Sequence, residues 1–240
     1  MPVLLAPPLI HGTDHFRRYG HRAPGFNRDV LMAVDTVQSR ATDGGGYFIG
    51  IKADPPESPV GWDLALLGRP LLKAPRTTSY CSGSSYAALV EALNLRLKGR
   101  AIDPGRLEKM RMQEPDGGRR EDGIKAWGWW NADGPGCHYA AVQYLGIGER
   151  IALKDARPGD FANVGWKNGP GHSVVFLDQG PWGMRMWSSQ KGTNGYGDLV
   201  APWSTIAGVV VVRVTRPERL LTFVPGPVEK KVVYDRPLQK

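Results

Sequence analysis

The hydrophobic period of this chain changes once along its length, and that change limits the fold more than any other feature. From Arg28 to about Arg40, Val30, Leu31, Val34 and Val37 fall near one helical face, and from Ser82 to about Leu97 the stripe Tyr86, Leu89, Val90, Leu93 and Leu97 repeats the pattern. Further on, apolar residues gather in short runs suited to strands: His172–Leu177, Met184–Trp187 and the valine-rich Ile206–Val214. Helices first and strands afterwards predict an α+β fold with helices packed on an antiparallel sheet, not alternating βαβ units.

Local signals divide the chain further. Residues 1 to about 27 show no period and predict an irregular arm. Asn27 is the expected N-cap of the first helix, which Asp43-Gly44-Gly45-Gly46 stops. Tyr47–Ile51 predicts a short strand, the proline-rich stretch 54–59 a loop, and Trp62–Leu67 a turn or two of helix. Lys98-Gly99 ends the helix that begins near Cys81. Asp103-Pro104 caps another, running to about Gln113. His138–Leu145 predicts a short helix, and Asn194-Gly195-Tyr196-Gly197 a turn that could border a cleft. The resulting division is an N-terminal arm and helix over 1–60, a main domain over 61–216 with an inserted Trp-rich segment at about 99–150, and a tail over 217–240.

Composition excludes several classes of function. Of 240 residues, 41% are hydrophobic and 22% charged, as in ordinary globular chains. No run of about 18 apolar residues exists, so no transmembrane helix and no membrane partner are expected. The opening Met1-Pro2-Val3-Leu4-Leu5 lacks a basic flank and is not built as a signal peptide; a trimmed leader would make the protein exported, so the compartment stays open. The net charge of +8 suits an anionic polymer. Its carriers (Arg17, Arg18, Arg22, Arg119, Arg120, Lys230, Lys231) are scattered, which predicts a solvated surface and no nucleic-acid site. Two cysteines, Cys81 and Cys137, allow one disulfide and no framework, and the spacings of a zinc site are missing, so neither metal nor cofactor is expected.

Cys81 is the residue with chemistry in its position. It opens the strongest helix, where first-turn amides lack intrahelical partners, and Gly83 two residues on permits close backbone approach. A helix N-terminus and a neighbouring imidazolium both lower a thiol pKa, so an activated thiolate is expected. Among His11, His15, His21, His138 and His172, the first three lie in the arm and predict exposed rings. His172 opens a strand just after Gly169-Pro170-Gly171, where a ring can be presented at a sheet edge. Cys137-His138 is a rival pair by adjacency, but neighbours on one helix point to different faces, so it reads as a core or loop pair.

Ala65-Leu66-Leu67-Gly68-Arg69-Pro70 followed by Tyr80-Cys81-Ser82-Gly83 resembles the helix, loop and Cys-Ser-Gly core of NlpC-type and CHAP-type papain-like amidases. Ala156-Arg157-Pro158-Gly159-Asp160-Phe161 and Gly171–Leu177 are similar to that family's Pro-Gly-Asp turn and His strand. The resemblance covers roughly 62–97 and 153–190. It implies a papain-like core, a Cys81 nucleophile, a His172 base, and a polar orienter on the next strand, for which Gln190 is favoured over Ser188 and Ser189. The substrate it implies is a peptide amide, above all in peptidoglycan. Tyr80, Ser82, Trp127, Trp129, Trp130 and Trp187 are the residues expected to bind substrate. Trp127, Trp129 and Trp130, with Asn131 and Asp133, read equally well as a groove wall or as an apolar plug. Asp160 is expected to bond its own turn. Tyr80 stands where the family often has aspartate, and Leu71 where it often has an aromatic. The alternatives are an inactive binding module of the same fold for an anionic wall polymer, and a structural domain with Cys81 joined to Cys137.

Overall fold

The computed structural model describes residues 10–50, 53, 57, 59–111, 125–132, 137–229, 232 and 235. The opening segment, Gln113, the Arg119-Arg120 pair, Asp133 and Lys230-Lys231 lie outside the described residues. Among the described residues the helices are α1 (His15–Tyr19), α2 (Asn27–Ser39), α3 (Cys81–Arg96), α4 (Pro104–Met110), α5 (Ala126–Asn131) and α6 (Cys137–Leu145). The strands are β1 (Leu64–Leu66), β2 (Arg69–Leu72), β3 (Gly148–Ile151), β4 (Phe161–Trp166), β5 (His172–Gly180), β6 (Gly183–Gln190), β7 (Gly195–Ala201) and β8 (Ile206–Val214). The last six form one sheet in the order β3-β8-β4-β5-β6-β7, antiparallel throughout. The fold is α+β.

The strand β8 explains its own valine run. It lies between β3 and β4 with both faces covered: Val209 and Val211 join Ala162, Val164, Phe176 and Met186 on one side, while Val212 and Val214 join the helices on the other. A strand buried on both faces reads as continuous apolar sequence. On the helical side, α3 and α6 lie on the sheet, α2 packs behind α3, and Phe161, Val175, Leu177 and Trp187 project into the shared core. The first ten residues of α3 are buried all round, serines included.

Several local expectations need correction. The helix expected at Trp62–Leu67 is instead the hairpin β1–β2, whose two-residue loop, Leu67-Gly68, has both φ values positive (49° and 77°). That is the tight-turn geometry whose twist matches paired strands, and the Leu67 amide is held by Asn94 Oδ1 at 2.7 Å. Asn27 is the first residue of α2 rather than its cap. Its amide donates to Pro158 O and Asp160 Oδ1. Asp160 does bond its turn, through the Arg157 amide, but it also takes a two-pronged contact from Arg213 at 2.8 and 2.7 Å. Tyr47 makes a single bridge to Ser79 in place of a strand, and α4 stops at Met110. The Trp-rich segment holds α5, and β3, β4 and β7 form from glycine- and polar-containing sequence without a strand-like pattern.

The arm is the largest departure. It contains α1, and His15 there is fully buried rather than exposed. Its Nδ1 meets Asp35 Oδ1 of α2 at 2.7 Å and its Nε2 meets Asp198 Oδ1 of β7 at 2.8 Å, so both ring nitrogens donate and the imidazole is charged. Burial opposes the charge, but the bonds and fields of Asp198 and Asp35 outweigh it and raise the pKa from 6.5 to about 9. A raised folded-state pKa stabilises the fold fully below pH 6.5, with the contribution lost as pH rises through 9. The size is on the order of 3 kcal/mol. Urea unfolding of wild type and His15→Gln should therefore differ most near pH 6, with the gap narrowing by pH 10; a pH-independent gap would show that the ring is held neutral.

Candidate active site

Cys81, His172 and Gln190 lie where α3 meets the ends of β5 and β6. Cys81 is the first residue of α3, entered from an extended Tyr80 (φ −139°, ψ 157°). The first main-chain bond of the helix runs from Ser84 N–H to Tyr80 O at 2.8 Å, which leaves the Cys81 and Ser82 amides outside the helical ladder. Those two amides, the Ser173 amide and the Tyr80 hydroxyl all bond the Cys81 sulfur, and each favours the thiolate. Burial is the larger effect, and it raises the thiol pKa above its ordinary value. The activated thiolate expected from the helix N-terminus is thus corrected: at neutral pH Cys81 is a thiol.

His172 begins β5 directly before Ser173, the residue whose amide touches the Cys81 sulfur. Its Nε2 lies 3.2 Å from Gln190 Oε1. The Gln190 amide is fixed from its other end, because Nε2 donates to Thr193 Oγ1 at 2.8 Å and to Gly197 O at 3.0 Å. The oxygen must then face the ring, so His172 Nε2 carries a proton and donates. Burial lowers the His172 pKa to about 4, against a smaller opposing effect of Gln190. The ring is therefore neutral near pH 7, protonated on Nε2, with its Nδ1 lone pair free to accept a proton. No hydrogen bond joins the Cys81 sulfur to the ring in this state; such contacts are often long without substrate and tighten when it binds.

Tyr80 and Ser82, both expected to bind substrate, adjoin Cys81 in sequence. Tyr80 is half-buried and stacks on Tyr47 at 6.4 Å, while the Ser82 hydroxyl donates to Asn131 Oδ1 at 2.6 Å. The tryptophans need correction. Trp127, Trp130 and Trp187 are at most 1% exposed and cannot line a groove. Trp127 and Trp130 pack edge-on around Tyr86, and Trp187 stacks on Tyr196 with its Nε1 donating to Gln38 Oε1 at 2.8 Å. Trp129 is half-buried against the same core. The plug reading is the one realised for Trp127 and Trp130, and the Trp130 N–H reaches a buried acceptor at Ser85 Oγ. Ser188 and Ser189, the alternative orienters, bond elsewhere: Ser188 Oγ donates to Ser173 O at 2.6 Å, and Ser189 Oγ pairs with Ser79 Oγ at 2.6 Å.

The rival pair Cys137-His138 is buried, with His138 stacked on Trp130 at 4.0 Å. Burial drives the Cys137 thiol up to about 12 and the His138 ring down to about 3, so neither is charged near neutrality. Cys81 and Cys137 are both free thiols. Sequence reasoning missed Tyr47, Ser173 and Trp166, whose ring lies 6.0 Å from His172. Only Ser173 carried a signal, as a polar residue inside an apolar strand. Among the described residues no group of three or more His, Cys, Asp or Glu could hold a metal, and no helix is long and apolar enough to cross a membrane. Set against protein-family models, curated proteins and solved structures, the chain matches none.

Gly83 shows how closely the helix is seated. A Cβ there would lie 2.0 Å from Pro59 O, the same carbonyl that accepts the Tyr80 amide at 3.1 Å. Gly83→Ala should therefore cost about 1–3 kcal/mol by overpacking and disturb the approach of Tyr80 to Cys81. Denaturant unfolding checks the first effect; an unchanged midpoint would mean that the 59–60 segment yields freely.

Proposed function

We propose that the protein is a cysteine hydrolase with a papain-like core, acting on an amide bond through Cys81 as nucleophile, His172 as base and Gln190 as the residue that orients the ring. The observation that carries this reading is the His172–Gln190 contact, which leaves Nδ1 unprotonated on the residue adjoining the one that touches the Cys81 sulfur. The resemblance of Tyr80-Cys81-Ser82-Gly83 and of the Gly171–Leu177 strand to NlpC-type and CHAP-type amidases supports the same reading and makes a peptidoglycan peptide the leading substrate.

The chemistry begins from a neutral pair. As the Cys81 sulfur attacks the amide carbonyl carbon, its proton passes to His172 Nδ1, and the carbonyl π electrons move to oxygen. The first-turn amides of Cys81 and Ser82, which bond the sulfur in the resting site, turn to that oxyanion as the sulfur lone pair is spent on the new bond. The tetrahedral adduct collapses with release of the amine, which takes the proton from His172, and leaves an acyl-cysteine. Water then attacks the acyl carbon and gives one proton to His172; the C–S bond breaks, the sulfur takes that proton back, and the carboxylic acid is released. The Gln190 amide holds the ring throughout and matches its Nε2–H in both protonation states.

Muropeptide digestion scored by mass spectrometry tests the reading. Wild type should cleave, Cys81→Ala should not, and His172→Ala should lose about 10²–10⁴-fold in rate. The base works only when unprotonated, so activity should persist to about pH 5 and fall as pH drops through 4, the value to which burial lowers His172. Binding to sacculi without cleavage by wild type would replace the enzyme with the binding module.

A further inference from the structure

A buried chain of hydroxyls lies under Cys81, and bond counting gives it a direction. His138 Nε2 is 2.6 Å from Ser173 Oγ, Ser173 Oγ is 2.5 Å from Ser85 Oγ, and Ser85 Oγ reaches Ser82 O at 3.2 Å. Trp130 Nε1–H also donates to Ser85 Oγ at 2.9 Å. His138 is neutral, and its Nδ1 is buried without a partner. An unmatched lone pair costs less than an unmatched N–H, so the proton sits on Nε2 and donates to Ser173. Ser173 then donates to Ser85, and Ser85 to the Ser82 carbonyl, with every hydroxyl giving one bond.

A second set of bonds ties the same turn to β6. Ser84 Oγ donates to Cys81 O at 2.7 Å and accepts the Ser189 amide at 3.0 Å, while Ser188 Oγ donates to Ser173 O. The Ser173 side chain is thereby anchored to α3 and α6, its carbonyl to β6, and its amide to the Cys81 sulfur. Apolar contacts between a helix and a sheet permit small slides. Short directional bonds at a buried interface do not, because a slip leaves polar groups unpaired.

We propose that His138, Ser173 and Ser85 are positioning residues, which act through the backbone of Ser173 to fix His172 relative to Cys81. This inference rests on the hydrolase reading of the site. None of the three is assigned a contact with substrate. The role also accounts for a neutral histidine with an unmatched nitrogen in the core, since the Trp130 stack and the Ser173 bond together orient its ring.

Alkylation of Cys81 by iodoacetamide, followed by peptide mapping against pH, tests this without a substrate. A thiol that gives its proton to a neutral imidazole has the same net proton count as a thiolate–imidazolium pair. Its rate is therefore flat between the two pKa values, whereas an unassisted thiol rises tenfold per pH unit. The other titratable groups at the sulfur are Tyr47, Tyr80 and Cys137. Burial raises Tyr47 to about 12 and Cys137 to about 12, and so neither changes charge in the window.

Wild type should be flat from pH 5 to 8, and His172→Ala should show the tenfold slope. Ser173→Ala and His138→Phe should also acquire the slope and label about 10–100-fold more slowly at pH 6, the effect of roughly 1 Å of misplacement. His138→Phe keeps a ring against Trp130, and thermal unfolding confirms that each variant is folded; if one is not, the other carries the test. Flat profiles in both wild type and these variants, with a sloped His172→Ala, would overturn the positioning role alone. A sloped wild-type profile would overturn the dyad and this inference with it.

Discussion

The seating of the first turn of α3 on β5 and β6 is the interaction on which the rest of the site depends. A helix start carries amides with no intrahelical acceptor, and burial makes each unmatched group expensive. Here the start is buried on a sheet, and serine hydroxyls tie down its carbonyls and side chains: Ser84 Oγ donates to Cys81 O and accepts the Ser189 amide, Ser85 Oγ donates to Ser82 O and meets Ser173 Oγ, and Ser188 Oγ donates to Ser173 O. The two amides closest to Cys81 are left to its sulfur. A polar interface of this kind specifies one register.

The same burial sets the electrical state of the site. Cys81 is pushed up and His172 down, which separates two groups that would otherwise approach a shared ion pair. His15 has the opposite fate in an equally buried position, because two carboxylates meet its ring while His172 meets only a neutral amide. Depth alone therefore does not decide the charge of a histidine here. The partner does, and the choice of glutamine for His172 keeps its lone pair available for a proton.

Much of the architecture was legible because its elements bury apolar residues in two clusters, one on each face of the sheet. The helix α2 follows its periodicity and the strands β5, β6 and β8 their apolar runs, while Cys81 and His172 are singled out by position and Gln190 only through the resemblance to NlpC-type and CHAP-type amidases. What escaped has a physical reason in each case. The strands β4 and β7 contain Asn163, Gly165, Gly195 and Gly197, and form because neighbouring strands pair with them, not from their own propensity. The hairpin at Leu67-Gly68 needs a leucine at positive φ, which local rules disfavour and which Asn94, 27 residues away, makes tolerable. The sequence predicts an exposed His15 because its two carboxylates come from α2 and β7, distant along the chain.

The tryptophans carry the most general lesson about the site. Aromatic clusters beside a cleft invite assignment to substrate, yet Trp127, Trp130 and Trp187 are spent on the core. Trp130 is the informative one. Its ring stacks on His138 and its N–H donates to Ser85 Oγ, so it reaches the first turn of α3 through two intermediates. A residue of that kind links the α5–α6 segment to Cys81 as firmly as a contact residue would. The helices α5 and α6 are therefore tied to the first turn of α3, while the half-buried Tyr47 and Tyr80 stack beside Cys81 and the Trp166 ring lies 6.0 Å from His172.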